Sequence, residues 1–442
     1  MEKLSKENKI LMGITLFSMF FGAGNLIFPP FVGAQAGREA LVGGLGFALS
    51  AIGLPILGVA AVTKAGGLEQ LASRVHKKFA FVYILILYLS IGPCLAIPRT
   101  ASTSFSMAVV PFVGQSNGTY QLIYSVIFFV VAAIIALKPE KLTEYLGKRL
   151  TPCLLILIVV VFLGSLIQPV GSFALPIGGY EEGAVIKGFL DGYQTMDTLA
   201  ALNFGMIIAM NIREKGIQEE RFVMRETISA GWIAGIVLLI VYGMLIYVGA
   251  ISSEAFAGAE NGTEILTSIT NTLFGRVGIL LLAFIFLIAC LNTCIGLLSC
   301  CGKYFHSIVP KISYRGWVFF FAFISMIISN VGLTNILTLS VPLLNAIYPV
   351  AIVLIILAYA HGLLGKYKSI YPWSVAFCSI TSVINALDQS NLVIPKITEA
   401  VRLLPFYKEG FGWVLPSVIG LIIGVLFSLF TGLREERKGV TL

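Results

Sequence analysis

The stretch that decides the fold is ILMGITLFSMFFGAGNLIFPPFV, residues 10–32, which is apolar enough for a membrane but interrupted at its middle. Gly22, Gly24, Asn25 and the pair Pro29–Pro30 all fall at membrane depth. Non-helical backbone is tolerated in a bilayer only where it is buried in protein or lines a cavity. Broken helices of this kind form the midplane substrate and ion sites of many secondary transporters. The sequence therefore predicts a carrier whose binding site lies at the break.

The composition places the whole chain in the membrane class. Of its 442 residues, 57% are hydrophobic and 12% are charged, against about 25% charged in soluble domains. A membrane span needs about 20 predominantly apolar residues, and we predict twelve spans. They are residues 10–33, 41–63, 79–108, 121–138, 151–168, 184–211, 227–251, 274–302, 317–330, 338–360, 369–386 and 412–432. We therefore predict an all-α polytopic membrane protein with a single transmembrane domain, residues 1–442.

The distribution of positive charge supports the same topology. If the N-terminus is cytoplasmic, most of the 30 Lys and Arg fall in alternate loops on one side, for example Lys141, Lys148 and Arg149. The loops of the other side are mainly acidic or neutral, as at Glu260. This bias predicts that both termini are cytoplasmic. The net charge of +8 is then a topology signal that requires no nucleic acid partner.

A second interrupted span corresponds to the first. Span 6 contains GYQTMDTLAALNFG, residues 192–205, with Asp197 near the centre of the apolar stretch. Spans 1 and 6 are five apart and cross in opposite directions, as the first helices of two inverted five-helix repeats would. Interrupted segments at matching positions in two halves are the best sequence pointer to a transporter site. The alternative is a Gly/Pro kink that serves helix packing, since both residues are common in membrane helices.

The chemistry of the first break suits a small zwitterion. We expect Pro29 and Pro30 in the first turn of the outer half-helix, where a missing N–H costs little. The free N–H groups of that turn favour an anion such as a substrate carboxylate. The inner half-helix would end in free carbonyl groups suited to Na⁺ or an ammonium.

Two acidic residues and one arginine in or near the spans have alternative interpretations. A carboxylate at the bilayer centre costs about 2.5–3.5 kcal/mol, which makes Asp197 a functional candidate. It could pair with a substrate ammonium, hold Na⁺, carry a coupling proton, or cap the half-helix that begins near Thr198. Asp191 lies either in a vestibule or in a solvated loop. Arg99 is either an outer gate charge or a side chain that snorkels to the interface.

Span 8 and the histidines bear on the coupling ion. A hydroxyl such as that of Thr293 beside unwound carbonyls makes a hard oxygen site for Na⁺, although such hydroxyls often bond to their own helix. His76, His306 and His361 all fall in inside loops, so proton coupling would depend on Asp197 or Asp191. The seven cysteines show no metal-like spacing with histidine, and no catalytic constellation is present, so we do not expect an enzyme.

Three of these motifs together resemble a known family. FSMFFGAGNLIFPP (Phe17–Pro30), GPCLAIPRTASTSF (Gly92–Phe105) and GYQTMDTLAALNFG (Gly192–Gly205) are similar to the branched-chain amino acid:cation symporters, the BrnQ-type carriers. The resemblance implies uptake of leucine, isoleucine and valine, driven by Na⁺ or sometimes H⁺, in a bacterial inner membrane. We expect no cofactor and no obligate protein partner; the expected partners are the substrate, Na⁺ or H⁺ as coupling ion, and the lipid bilayer.

The same resemblance implies a fold and a site. The fold is the LeuT-type 5+5 inverted repeat with discontinuous helices 1 and 6. The repeats cover about 8–168 and 184–360, and two extra C-terminal helices cover about 369–432. The implied substrate-binding residues are Gly22, Ala23, Gly24, Asn25, Asp197, Thr198, Leu199 and Ala201. The implied Na⁺ ligands are Ser18, Phe21, Ala289, Asn292 and Thr293, with Asn292 in place of a hydroxyl residue.

The residues also predict the character of the substrate pocket. Candidates for its apolar wall are Phe20, Phe21, Leu26, Ile27, Leu199 and Phe204. An apolar pocket gains only about 1–3 kcal/mol per methylene, so we expect poor discrimination among leucine, isoleucine and valine. We predict a Na⁺-coupled symporter that works by alternating access. The alternatives are an H⁺-coupled carrier, a carrier of another small neutral amino acid, and a channel.

Overall fold

The computed structural model describes residues 3–114, 117–138, 151–259 and 261–439, with side chains described up to residue 431. Within these ranges the chain forms α-helices joined by turns, loops and three short 3₁₀ or π-helical segments, and it contains no strand. The helices are α1 Lys6–Phe20, α2 Ala23–Ala36, α3 Ala40–Ala48, α4 Leu54–Ala65, α5 Leu68–Ser73, α6 Lys77–Leu89, α7 Ala96–Ala108, α8 Val110–Val113, α9 Gly118–Ala136, α10 Thr151–Ile167, α11 Tyr180–Tyr193, α12 Asp197–Glu214, α13 Glu220–Ile251, α14 Gly262–Ile308, α15 Tyr314–Ser329, α16 Leu333–Leu364, α17 Ile370–Gln389, α18 Ile397–Arg402 and α19 Val414–Gly439.

The helices account for every apolar segment seen in the sequence, because each predicted span overlaps at least one of them. Among the described residues, eight continuous helical segments are long and apolar enough to cross a membrane, or nine if α11 and α12 form one bent span. The number differs from twelve because α2 to α4 run on as one 43-residue segment, while α10 and α15 are short. The predicted charges at Lys141, Lys148, Arg149 and Glu260 lie outside the described residues.

The chain falls into two compact units, and both candidate sites of the sequence lie in the first. That unit comprises Met1–Ala60 and Tyr88–Thr338, and the second comprises Ala61–Leu87 and Leu339–Leu442. The predicted inverted repeats divide the chain differently and stay a prediction.

Glycines allow the helices of the first unit to approach closely. The pairs α2–α13, α3–α11, α1–α13 and α7–α14 pack along their lengths. A Cβ added to Gly249 of α13 would overlap the Pro30 carbonyl of α2, and one added to Gly188 of α11 would overlap that of Gly43 in α3. Small residues at such contacts let helix backbones meet in a membrane. An ion pair also joins α1 to α13, since Lys9 Nζ lies 3.0 Å from the fully buried Glu226 carboxylate.

The second unit is built on the packing of α17 against α19. A hydrogen-bonded cluster around Asp388 holds the segment between these two helices. Arg402 donates to the Asp388 carboxylate through Nε (2.9 Å) and Nη2 (2.6 Å), and the Tyr407 hydroxyl donates to the same carboxylate (2.6 Å). Burial, followed by the hydrogen bond with Asp388, raises the pKa of Tyr407 to about 12. Tyr407 therefore keeps its proton at neutral pH and remains a donor.

Candidate functional site

The first span breaks where the sequence predicts, and Asn25 explains how. Helix α1 ends at Phe20, and α2 begins at Ala23 after an extended Gly22. The backbone N–H of Gly22 donates to Asn25 Oδ1 (3.2 Å), which caps the start of the second half-helix. Because this cap starts α2 early, Pro29 and Pro30 lie in its middle. The prediction that they occupy its first turn is wrong.

The second break lies immediately before Asp197. Helix α11 ends at Tyr193 and α12 begins at Asp197, with a bend of 50° between them. Met196 adopts the left-handed conformation with φ 65°, which is uncommon for a residue other than glycine. Backbone strain of this kind clusters at functional sites. Asp197 is thus the first helical residue, and its carboxylate is free to turn toward the other break.

The two breaks are joined by a hydrogen-bonded cluster of Asn25, Asp197 and Tyr242. Asn25 Nδ2 donates to Asp197 Oδ2 (2.5 Å) and to the Tyr242 hydroxyl. That hydroxyl donates to the same carboxylate oxygen at 3.0 Å. All three side chains are at most 2% exposed, so these bonds offset much of the cost of a buried carboxylate. Tyr242 lies on α13 and was not singled out from the sequence.

A small cavity opens beside this cluster, and its free interior volume is about 20 Å³, roughly enough for one water molecule. Its described lining comprises Met19, Phe20, Gly22, Ala23, Gly24, Asn25, Ile91, Ala96, Arg99, Thr100, Thr195, Met196, Asp197, Ala200, Phe204, Thr293 and Leu297. The predicted substrate residues of α2 are all present, together with Asp197.

The other predicted substrate and pocket residues divide between the cavity wall and positions outside it. Three of the predicted substrate residues on α12 do not line the cavity, namely Thr198, Leu199 and Ala201. The cavity lining from this part of α12 includes Ala200 instead. The hydroxyl of Thr198 faces the Ser50 carbonyl at 3.4 Å. Among the predicted apolar residues, Phe20 and Phe204 form part of the wall, with ring centroids 5.5 Å apart. The remaining four are buried outside the lining, and these are Phe21, Leu26, Ile27 and Leu199.

Arg99 lies inside the protein, at the cavity. Its side chain is 3% exposed, Nη1 donates to the Gln194 carbonyl (3.0 Å), and the guanidinium lies 5.8 Å from the Phe28 ring centroid. The snorkelling interpretation is therefore wrong, because the charge is directed into the protein. Asp191 lies within α11, so the loop interpretation is wrong and the vestibule interpretation stays a prediction; its carboxylate bonds to Lys187 Nζ (2.5 Å) and to the Tyr180 hydroxyl (2.7 Å).

Three of the five predicted sodium ligands, Ser18, Asn292 and Thr293, lie where α1 ends against α14. Asn292 Nδ2 donates to Ser18 Oγ at 2.9 Å, and Thr293 Oγ1 lies 3.5 Å from the Met19 carbonyl. Asn292 Oδ1 is buried and has no hydrogen-bond partner among the described residues. Ala289 and Phe21, the other two predicted ligands, are fully buried. A buried amide oxygen without a donor beside hydroxyl and carbonyl oxygens is a suitable setting for a hard cation.

Comparison with known proteins agrees with this architecture. Residues 5–431 match the family model of the branched-chain amino acid transport protein. The branched-chain amino acid permease BrnQ of Bacillus subtilis is 37% identical over 433 residues, covering 97% of this chain and 98% of that protein. The branched-chain amino acid transport system 2 carrier protein of Pseudomonas aeruginosa is 37% identical over 437 residues, covering 99% of each.

Two solved transporters share the fold at low sequence identity. MHP1, a nucleobase-cation-symport-1 family transporter with bromovinylhydantoin bound, gives a TM-score of 0.59 at 12% identity over 94% of this chain and 91% of its own. MhsT in complex with L-phenylalanine gives 0.58 at 16% identity over 97% and 98%. Both have the LeuT-type fold, and at this identity the likeness extends to the fold alone.

Proposed function

The chain belongs to the branched-chain amino acid transport protein family, and from this premise we propose that it imports leucine, isoleucine and valine together with Na⁺. Its relatives are named permeases and carriers, not enzymes. The proposed mechanism is alternating access at the two helix breaks, in a bacterial cell membrane with both termini cytoplasmic. The proposed topology is twelve spans, of which ten form a 5+5 inverted repeat.

The observation that carries the proposal is the link between the breaks. Asn25 on α2 donates to Asp197 on α12, so the two interrupted spans meet at one cavity. Free backbone groups, one carboxylate and the aromatic walls of Phe20 and Phe204 suit a small molecule with a charged end and an apolar side chain. Such a site discriminates poorly between substrates whose apolar side chains differ by one methylene.

The sodium part of the proposal depends on Asn292. Its buried Oδ1 would gain a partner if Na⁺ bound between α1 and α14, and Ser18 Oγ accepts a hydrogen bond from Nδ2 of the same amide. Thr293 Oγ1 and the carbonyls at the end of α1 would complete an all-oxygen site. The competing assignment is H⁺ coupling through Asp197, the carboxylate at the junction. A carrier of another small neutral amino acid with the same fold is the alternative on the substrate side.

The test is uptake of labelled L-leucine into proteoliposomes, with an inward Na⁺ gradient in one arm and an inward H⁺ gradient in the other. The membrane potential is clamped to the same value in both. We expect accumulation above equilibrium with Na⁺ only, competed by isoleucine and valine. Accumulation with H⁺ alone would transfer the coupling role to Asp197, and no uptake by folded protein in either arm would overturn the substrate assignment.

A pair of variants on α14 connects the result to the proposed ion site. Asn292→Ala removes the buried amide, and we expect the Na⁺ concentration for half-maximal uptake to rise by about tenfold or more, equivalent to about 1.4 kcal/mol. Ser299→Ala is the matched control, because the Ser299 hydroxyl is buried on the same helix but bonds back to the Ile295 carbonyl (2.8 Å). Equal Na⁺ dependence in the two variants would remove Asn292 from the site.

A further inference from the structure

Arg99 lies where both helix breaks approach α7. It is buried, and its Nη1 donates to the carbonyl of Gln194, the residue that follows α11. On the other side, a Cβ added to Gly24 in the first turn of α2 would lie 2.8 Å from Arg99 Nη2. The guanidinium therefore touches the start of one half-helix and the end of the other, at the wall of the cavity.

The charges around the cavity are balanced. Of the described residues that line it, two have ionisable side chains of opposite charge, Arg99 and Asp197. A zwitterion brings one charge of each sign and leaves no buried charge unmatched. A monovalent amine or acid would leave one charge of the protein without its counterpart, which is costly in a buried site.

We propose that Arg99 binds the substrate carboxylate and thereby restricts the carrier to α-amino acids, while Asp197 receives the ammonium. This inference rests on the proposed function, since it names the residues with which the same cavity recognises its substrate. The planar guanidinium matches a carboxylate in two parallel hydrogen bonds, which a lysine ammonium does not reproduce. The glycine at position 24 leaves room for the guanidinium beside the first turn of α2, so the amides of that turn and Arg99 face the same carboxylate.

The experiment compares ligands that lack one charge. Competition against labelled L-leucine is measured on the purified full-length protein at saturating Na⁺, with unlabelled leucine, leucinol or 4-methylpentanoate as the competitor. Leucinol keeps the ammonium but has an alcohol in place of the carboxylate. 4-Methylpentanoate keeps the carboxylate but lacks the ammonium. We expect the wild type to prefer leucine over both analogues by about 100-fold, a typical effect of unpairing a buried charge.

The variants then identify the residue responsible. Arg99→Gln is expected to weaken leucine by about 100-fold and leucinol by less than threefold, so that the two ligands become equivalent. Arg99→Lys keeps the charge without the fork and should weaken leucine by about tenfold, which preserves the test if the Gln variant fails to fold. Arg38→Gln is the control, since Arg38 is exposed and its Nε donates to the Phe173 carbonyl (3.3 Å), away from the cavity.

The outcomes separate this inference from the function on which it rests. If folded Arg99→Gln or Arg99→Lys weakens leucine and leucinol by the same factor, Arg99 is a structural counter-charge and the inference is wrong. If the wild type does not distinguish leucine from leucinol, the carboxylate is not read and the inference also fails. If the wild type does not bind leucine, the proposed function falls and takes this inference with it.

Discussion

Replacing Tyr242 with Phe removes one oxygen from the junction of the two breaks and leaves the ring in place. The ring is held edge-on by Phe47, at a centroid distance of 5.4 Å, so packing changes little. The lost hydroxyl donates to Asp197 and accepts from Asn25. A hydrogen bond to a charged group contributes about 1.5–3 kcal/mol, and each 1.4 kcal/mol is tenfold in affinity. The full loss would therefore weaken leucine binding by about 10- to 150-fold.

The expected value lies toward the lower end of that range. Asn25 still donates to Asp197 in the variant, so the carboxylate keeps one partner, and part of the loss appears as reduced stability. We expect the KM for leucine uptake into proteoliposomes to rise by about 10- to 30-fold at saturating Na⁺, and the thermal midpoint to fall by only a few degrees.

The control is another tyrosine of the same helix. Tyr247 packs its ring against Phe162 and Phe173, and its hydroxyl makes no hydrogen bond within the described part of the chain. Tyr247→Phe should leave KM unchanged. If Tyr242→Phe is folded and its KM stays within twofold of both the wild type and the control, the junction does not position Asp197 for binding, and the reasoning is refuted.

Two further predictions concern other contacts. Gly22→Ala would place a Cβ 2.8 Å from the Cβ of Thr293, and because overpacking of this kind costs about 1–3 kcal/mol, we expect a weaker Na⁺ dependence of uptake. The control is Gly243→Ala, where an added Cβ meets nothing within 4 Å. This control should retain wild-type uptake and a thermal midpoint no lower than that of the wild type. Asp388→Asn removes the carboxylate that holds Arg402. We expect limited proteolysis to cut the variant between residues 390 and 411 faster than the wild type, while the KM for leucine uptake stays unchanged. A cleavage rate equal to that of the wild type would contradict this prediction.

The helices were predictable because apolar length is a local property of the sequence. Every predicted span overlaps a helix, and both interrupted spans are broken. The exact start of α2 was not predictable, because two rules of local sequence compete there. Pro29 and Pro30 favour a first turn around themselves, while Asn25 can cap Gly22 and start the helix earlier. The cap satisfies a buried N–H that would otherwise have no partner, and the structure follows it.

The site was predictable only where its residues look unusual for a membrane. Gly24, Asn25 and Asp197 stand out at membrane depth, and all three line the cavity. Tyr242 and Tyr247 occupy the same apolar run of α13, LLIVYGMLIYVG, and nothing local distinguishes them. Only the tertiary contacts with Asn25 and Asp197 give Tyr242 a role.

Arg99 illustrates the same limit through backbone geometry. Its sequence position allowed a charge that reaches the interface, as arginines in membrane helices commonly do. The chain before it forms a π-helical turn, Ser90–Cys94, in which Gly92 leaves helical geometry. Such irregular turns frequently accompany functional sites in helices. The turn sets the direction from which α7 starts, so the side chain is directed inward to Gln194.

Asp197 links substrate binding to the position of two other helices. Its Oδ2 accepts from Asn25 of α2 and Tyr242 of α13, so a ligand ammonium bound at the other carboxylate oxygen shares a group that these two donors hold in place. A ligand changes a conformational equilibrium only to the extent that it binds the two conformations differently. An ammonium that shares this carboxylate supplies such a difference, because it alters the contact that holds α2 to α12. A substrate without an ammonium has no such effect, so it should fail to drive transport even where its apolar side chain fits the cavity.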